Sequence, residues 1–439
     1  MSFTKQTIRD VELSGKRVLI RADYNVPLDS KGRITDDYRI QQSLPTIRYV
    51  LQQGGAIILC SHLGRPNGKP SPTESLFPVA KALQKLLSIE VEFVPDCVGE
   101  RAKKAADKLK KGQILLLENL RFHSEEEAND DAFAAELASL ADVFVQDGFG
   151  VVHRAHASTA AITKYIPSVA GLLLEREVDT ITEVMISPKR PLVAVIGGAK
   201  ISDKIEVLQR FISVADVVAV GGAMANTFLQ AQGLQVGKSK TETTDVPLAK
   251  TIIAAARREQ AKRPFVFYLP QDGVVAKKID TLAPTRIVDW SANVISEIEA
   301  YPKRPAQDST RIDDDEMILD IGPFSGAFIA GTLQLAGTVV WNGAMGVTET
   351  RGAQGPIGPT AQGTELVMEA ITGQFGNRPY SLVGGGDTVG FLESRGLVKS
   401  FNHVSTGGGA SLELLAGRSL PGVEALLTQP KRKSGDKHE

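Results

Sequence analysis

The sequence predicts an α/β protein made of two three-layer α/β/α domains, each with a parallel central sheet. Short β-rich apolar runs alternate with longer segments of helical period, the pattern of parallel strands joined by crossover helices. The chain has 439 residues, enough for two or three domains of ordinary size. A long amphipathic segment, Gly171–Met185, closed by Pro188 and Pro191, divides the alternating runs into two sets and reads as a helix joining two domains.

In the first set the strands are Arg17–Arg21, Ala56–Cys60, Ile114–Leu117 and Val143–Val145, apolar runs too short for helices. Arg39–Gln53, Pro78–Leu87, Glu100–Lys110 and Ala128–Leu140 carry the helical period between and before them. In the second set the strands are Leu192–Ile196, Val217–Val220, Phe265–Leu269, Met317–Ile321, Thr338–Trp341, Ser381–Val383 and His403–Ser405. Two helices there are well marked, Asp203–Ile212 and Leu248–Gln260. The polar, proline-punctuated stretch Tyr301–Asp315 reads as a surface loop, and the charged residues 431–439 as a disordered tail.

Composition excludes several function classes. Fifty basic side chains face 51 acidic ones, a balance that argues against nucleic-acid binding, which needs a cationic surplus. No apolar run approaches the roughly 18 residues of a membrane span, and the first residues lack a basic start followed by an apolar stretch. Cys60 and Cys97 build neither a disulfide framework nor a metal knuckle, and read as buried thiols. These features predict a soluble cytoplasmic protein. The basic run 101–111 reads as the solvated face of a helix, and Asp313-Asp314-Asp315-Glu316 lacks calcium-loop spacing.

In open parallel sheets, ligands bind beyond the carboxyl ends of the strands. In the first half those positions carry cations and amides. Arg17–Arg21 runs into Asp23 and Asn25, Ala56–Cys60 into His62 and Arg65, and Ile114–Leu117 into Asn119 and Arg121. Val143–Val145 leads to Asp147 and then His153, Arg154 and His156, while Arg39 opens the first helix. Arginines recurring at successive strand ends suit a small substrate with carboxylate or phosphate groups, which the guanidinium fork binds bidentately. His153 and His156 lack any zinc-protease pattern and read as surface or hydrogen-bonded histidines, so His62, beside Arg65, is the better candidate.

In the second half the strand ends carry glycine. Residues 322–422 hold 22 of the 41 glycines. Leu192–Ile196 is followed by Gly197-Gly198-Ala199-Lys200 and then Lys204, Val217–Val220 by Gly221-Gly222, and Thr338–Trp341 by Asn342-Gly343. Ser381–Val383 is followed by Gly384-Gly385-Gly386-Asp387-Thr388, and His403–Ser405 by Thr406 and Gly407-Gly408-Gly409. Bare backbone at a strand-to-helix turn lets N–H groups approach phosphates, and the lysines and the aspartate there suit phosphate charge and Mg²⁺. None of these turns has P-loop spacing. Gly384, Gly386 and Gly390 form a loose dinucleotide fingerprint, so a nicotinamide dehydrogenase is the competing reading from the residues themselves. A half built for a small anion beside a half built for a nucleoside phosphate predicts a two-domain kinase acting on a small acid.

At these same residues the chain resembles the phosphoglycerate kinase family, from about Val11 to Leu427. The stretches that carry the resemblance are residues 17–28, 61–66, 118–122, 153–156, 197–204, 341–346, 384–388 and 404–413. The resemblance implies two Rossmann-like domains. The first covers 1–170, with 410–430 returning to pack on it; the helix 171–188 is the hinge, and 189–409 form the nucleotide domain. It implies reversible transfer between 1,3-bisphosphoglycerate and ADP, giving 3-phosphoglycerate and ATP with Mg²⁺, in a cytoplasmic monomer. By the same resemblance, Asp23, Asn25, Arg39, His62, Arg65, Arg121 and Arg154 bind phosphoglycerate. Arg39 and Lys200 neutralise the phosphoryl group in flight, with the amides of Gly386 and Gly409. Lys204, Gly221, Gly222, Asn342, Glu349, Gly385, Gly386, Asp387 and Thr388 hold the nucleotide, and Asp387 the Mg²⁺.

Several positions depart from the family pattern. Ala344 stands where proline is usual, Ala223 for a common third glycine, and Phe324 for a common lysine; Gln146 and Gly148 flank Asp147 in place of Asn and Ala. The stretch 291–315 is longer than usual. These departures predict altered nucleotide affinity, and they motivate the alternative of a catalytically silent homologue used as a binding or scaffold protein.

Overall fold

The computed structural model describes residues 3–291, 310–350 and 358–429. The tail 431–439 lies outside these, as does most of the longer 291–315 stretch, including the greater part of the predicted surface loop. The chain forms two compact units, Met1–Thr180 with Arg418–Glu439, and Ile181–Gly417.

The first unit is built on a six-stranded parallel sheet. Its strands are β1 (Arg17–Arg21), β2 (Ala56–Cys60), β3 (Val91–Val94), β4 (Ile114–Leu117), β5 (Val143–Gln146) and β6 (Ser168–Ala170), in the order β3-β4-β2-β1-β5-β6. Successive side chains of a strand point to opposite faces, so β1 feeds two cores. Val18 and Ile20 join one with Ile40 and Ile47 of helix Tyr38–Gln52. Leu19 joins the other with Ile58, Leu115, Phe144, and Phe133 and Leu137 of helix Asp131–Ala138. Helices on both faces explain why these strands read as continuous apolar runs. Truncating Leu19, which is fully buried, to alanine would cost about 2–5 kcal/mol.

Residues near the end of the sequence complete this unit. Gln6 N–H donates to Leu427 O at 2.7 Å, Leu427 N–H to Ser168 O at 3.0 Å, and Gly422 N–H to Val152 O at 2.9 Å.

The second unit holds another six-stranded parallel sheet and a smaller one. The strands are β7 (Leu192–Ile196), β8 (Val217–Val220), β9 (Val266–Tyr268), β10 (Asp272–Ala276), β11 (Arg286–Asp289), β12 (Met317–Ile321), β13 (Thr338–Asn342), β14 (Tyr380–Gly384) and β15 (His403–Val404). The large sheet has the order β15-β14-β13-β7-β8-β9, and β11-β10-β12 form a separate antiparallel sheet. The α/β class and the parallel central sheets are those the sequence predicts; the antiparallel sheet is an addition to it.

Two other differences have local causes. The helix predicted over 128–140 is shorter, Asp131–Ala138, and a separate one-turn helix, Ser124–Glu127, precedes it. Asn129 takes a left-handed φ of 55°, and the Asp130 carboxylate accepts from Phe133 N–H, so this pair ends one helix and caps the next. Helices Gly222–Ala231, Gly386–Ser394 and Gly408–Leu415 begin on the glycines that the sequence presents as turns. Among the described residues, no helix is long and apolar enough to cross a membrane.

Candidate active site

In the first unit the strand ends bring together most of the residues expected to hold the anion. The Arg39 guanidinium donates to Asp23 Oδ2 at 2.6 Å, and the other Asp23 oxygen stands 4.0 Å from His62 Nδ1. Asn25 Oδ1 accepts from Gly64 N–H at 2.9 Å, and Arg121 donates to Gly64 O at 2.9 Å, so these two side chains fix the turn after His62. Arg65 and Arg154 are exposed. The field of Arg154 still reaches Arg121 and both neighbouring histidines.

The electrostatics separate the two central groups. Burial raises the Asp23 pKa, but Arg39, His62 and Arg21 outweigh it and hold the carboxyl below its ordinary range. Burial and the arginines around His62 outweigh Asp23 and push the imidazole well below its ordinary value. At neutral pH the cluster therefore combines ionised Asp23 with neutral His62.

Beneath it lies a group the sequence reading passed over. Arg21, fully buried, donates from Nε to Ser158 Oγ at 2.9 Å, and its guanidinium lies 3.3 Å from His62 Nδ1. Ser158 Oγ donates in turn to Glu126 Oε1 at 2.6 Å, and Ser158 N–H to Glu126 Oε2 at 2.9 Å. Arg21, inside an apolar strand, was the visible signal for this network; nothing in sequence spacing ties Ser158 to Glu126. His156 is buried as well, and burial with the field of Arg121 takes its pKa down to about 4.

In the second unit a cavity of about 410 Å³ is bounded by Gly198, Gly222, Ala223, Trp290, Glu349 and Asp387 among others, while the glycines of the Gly384–Gly386 and Gly407–Gly409 turns are not in its wall. Backbone packing explains the glycines best at Gly197, where an added Cβ would fall 2.0 Å from Ala344 O. Gly385 takes a φ of 92°, which turns the chain from β14 into helix Gly386–Ser394. Gly386 and Gly409 both occupy first-turn positions, whose N–H groups have no intrahelical acceptor. The two helix starts are neighbours, since a Cβ on Gly408 would lie 4.0 Å from Gly386 N.

Lys204 donates to Asn342 Oδ1 at 2.7 Å and to Asn342 O at 3.0 Å. Burial lowers its pKa to about 8, against the fields of Asp387 and Asp203. Thr388 is buried and its hydroxyl accepts from Gly343 N–H at 2.7 Å, so it braces the neighbouring turn. Lys200 is exposed and stands 3.8 Å from Glu242, while Glu349 and Asp387 are exposed. Two buried polar atoms here, Asn342 Nδ2 and Ser411 Oγ, find no partner among the described residues, and both face Gly384.

This cavity, lined by apolar side chains, glycine backbone, Lys240, Glu349 and Asp387, suits a ligand with an apolar face and anionic groups. Comparison with known proteins decides which. Residues 8–418 match the family model of phosphoglycerate kinase. The chain belongs to the phosphoglycerate kinase family. It is 47% identical to the phosphoglycerate kinase of Moorella thermoacetica, over 97% of this chain and 99% of that one. The phosphoglycerate kinase of Koribacter versatilis is also 47% identical, over 97% and 100% of the two chains. Among solved structures, phosphoglycerate kinase from Coxiella burnetii superposes with a TM-score of 0.78 at 36% identity, covering 96% of this chain and 98% of that one. The Pyrococcus horikoshii phosphoglycerate kinase gives the same TM-score at 28% identity, with the same coverage.

Membership makes the chain a phosphotransferase acting on phosphoglycerate, and these relatives favour the kinase over the scaffold and dehydrogenase readings. Of the positions that depart from the phosphoglycerate kinase pattern, Gln146 is fully buried, its Oε1 accepting from Gly148 N–H at 3.1 Å while its Nε2 has no hydrogen-bond partner among the described residues. Ala223 and Ala344 sit in the cavity wall, and Phe324 is 58% exposed at the start of its helix.

Proposed function

We propose that this chain catalyses reversible phosphoryl transfer between 1,3-bisphosphoglycerate and ADP, giving 3-phosphoglycerate and ATP. The observation that carries the proposal is chemical complementarity. One unit presents Arg39, Asp23, neutral His62 and Arg121 together, and the other a cavity with Asp387, Lys240 and glycine backbone in its wall and Lys204 beside Gly198.

The substrate set is Asp23, Asn25, Arg39, His62, Arg65, Arg121 and Arg154. The arginines bind the phosphate and carboxylate of the acid, while Asp23 and His62 orient its hydroxyl and the Arg39 fork. Glu349 faces the ribose, and Lys204, Gly221, Gly222, Asn342, Gly385 and Thr388 surround the phosphates.

An exposed carboxylate in the cavity wall fits Mg²⁺, which is ordinarily held by one or two carboxylates and by substrate phosphates. Asp387 is the residue that would hold it. Bound there, the ion would neutralise phosphate charge.

In the direction of ATP consumption, a carboxylate oxygen of 3-phosphoglycerate forms the new P–O bond as the bond from the γ-phosphorus to the bridging oxygen of ADP breaks. The acceptor is already ionised at neutral pH, so no general base is needed. Arg39 and Lys200 balance the charge on the equatorial oxygens, and the N–H groups of Gly386 and Gly409 donate to them. Lys200 must leave Glu242 to do so. Both ligands must share one water-excluded space, so catalysis requires the units to close on each other. We place the enzyme in the cytoplasm as a monomer that binds neither nucleic acid nor membrane.

A coupled assay with ATP, Mg²⁺ and 3-phosphoglycerate tests the proposal. Turnover well above that of an Arg39→Ala variant is expected; turnover equal to it would overturn the kinase reading in favour of a silent homologue.

A further inference from the structure

Strands β3 and β4 lie side by side at one edge of the first sheet, with Val94 opposite Leu117. Both chains leave their carboxyl ends on the same side. Pro95-Asp96-Cys97 follows β3, and the segment from Glu118 to His123 follows β4. The Asp96 carboxylate gathers the two: Oδ1 accepts from Cys97 N–H at 2.8 Å and lies 2.9 Å from His123 Nε2. One donor atom from each of Asp96, Cys97 and His123 lies within 4.8 Å of the others.

A second observation concerns access. A cavity of about 680 Å³ opens at this point, with Asp96, His123, Glu118 and Phe122 in its wall. Asp96 and His123 are partly exposed, and the Cys97 thiol is buried behind them. Neither the anion cluster nor the cavity of the second unit uses any of the three donors.

We propose that Asp96, Cys97 and His123 form a binding site for a divalent transition-metal ion of the zinc type. One sulfur, one imidazole nitrogen and one carboxylate oxygen make a borderline-soft set, which favours Zn²⁺ and its congeners over the all-oxygen preference of Mg²⁺. Ligand atoms about 2.0–2.3 Å from a tetrahedral ion stand roughly 3.5 Å apart, so the three must draw in by about 1 Å. The fourth position faces the cavity and takes water. Formation of the metal–sulfur bond releases the thiol proton to buffer, and the hydrogen bond between His123 and Asp96 is exchanged for two bonds to the ion. Such a site would pin the turns after two adjacent strands, two residues from Arg121. It would be structural, apart from the transfer chemistry.

Titration of the nucleotide-free full chain with Co²⁺ tests this. One equivalent should bind, with a sulfur-to-cobalt charge-transfer band in the near ultraviolet and release of about one proton. The band should persist in Cys60→Ser and vanish in Cys97→Ser. The variant His123→Gln, at a partly exposed position and checked for its fold by circular dichroism, should weaken binding by about tenfold or more. Excess Mg²⁺ should not displace the ion. Absence of the sulfur band in the folded chain, unchanged affinity in His123→Gln, or displacement by Mg²⁺ would overturn the site and leave Asp96 and His123 as a hydrogen-bonded pair.

Discussion

Asp23 and Arg39 are joined by a 2.6 Å ion pair in which the carboxylate is buried and the guanidinium only partly so. The acid fixes the position of the cation, while the open side of Arg39 stays available to substrate. Replacing Arg39 by alanine should lower kcat by about 10²–10³, the usual cost of losing a donor to transferring charge. Asp23→Asn keeps Arg39 but frees it, and should raise KM for 3-phosphoglycerate more than it lowers kcat. Steady-state kinetics checks both, and an Arg39→Ala enzyme with unchanged kcat would remove Arg39 from the transfer step.

Among the described residues, half-exposed Lys200 is held by one long contact, to Glu242 at 3.8 Å. A group so loosely held in the free protein suits a role in the transition state. Lys200→Ala should therefore reduce kcat by roughly 10²–10³ with little change in KM for either substrate. A change confined to KM would make Lys200 a binding residue.

Lys204 should give nucleotide binding a pH dependence. Burial brings its pKa to about 8. Below that pH the ammonium is charged and meets the phosphates; above it the free protein must first take up a proton. ATP affinity should fall by up to about tenfold per pH unit above 8, as one required proton dictates. The Lys204→Arg variant should show no such fall. Calorimetric titration between about pH 7 and 9.5 checks it, and a flat wild-type profile contradicts it.

Asp147 predicts a second pH effect, on stability. Burial raises its pKa from 3.8 to about 6, against hydrogen bonds from Leu173 and Leu174 N–H. The folded chain binds the extra proton between those values, so this contribution is lost as pH rises through about 6. Relative to Asp147→Asn, wild type should lose about 2–3 kcal/mol from pH 4 to 7, most of the roughly two-unit difference at 1.4 kcal/mol per unit. Denaturant unfolding at several pH values checks this; parallel profiles for the two proteins would refute it.

The strand ends were the most legible part of the sequence. Continuous apolar runs such as Ala56–Cys60 can only be strands buried on both faces, and the polar residues that follow then mark the ligand side. Strands β3 and β11 were missed because charged residues (Glu92 in one, Arg286 and Asp289 in the other) break these four-residue edge strands, leaving no continuous apolar run. Helix Gly222–Ala231 was missed for another reason, since its glycine start mimics a turn while serving close backbone packing. The buried chain from Arg21 through Ser158 to Glu126 was not legible at all. It joins residues up to 137 positions apart through side-chain bonds that leave no periodic trace.

The residues that close the first unit, from Gly422 to Thr428, follow the whole of the second unit in the chain. A ribosome therefore delivers the second unit before the first can be finished. Until Leu427 emerges, the backbone of Gln6 and Ser168 lacks its partner, and the nascent first unit must wait with an open flank. The order of synthesis thus builds in a delay: the first unit becomes complete only after the second has been made.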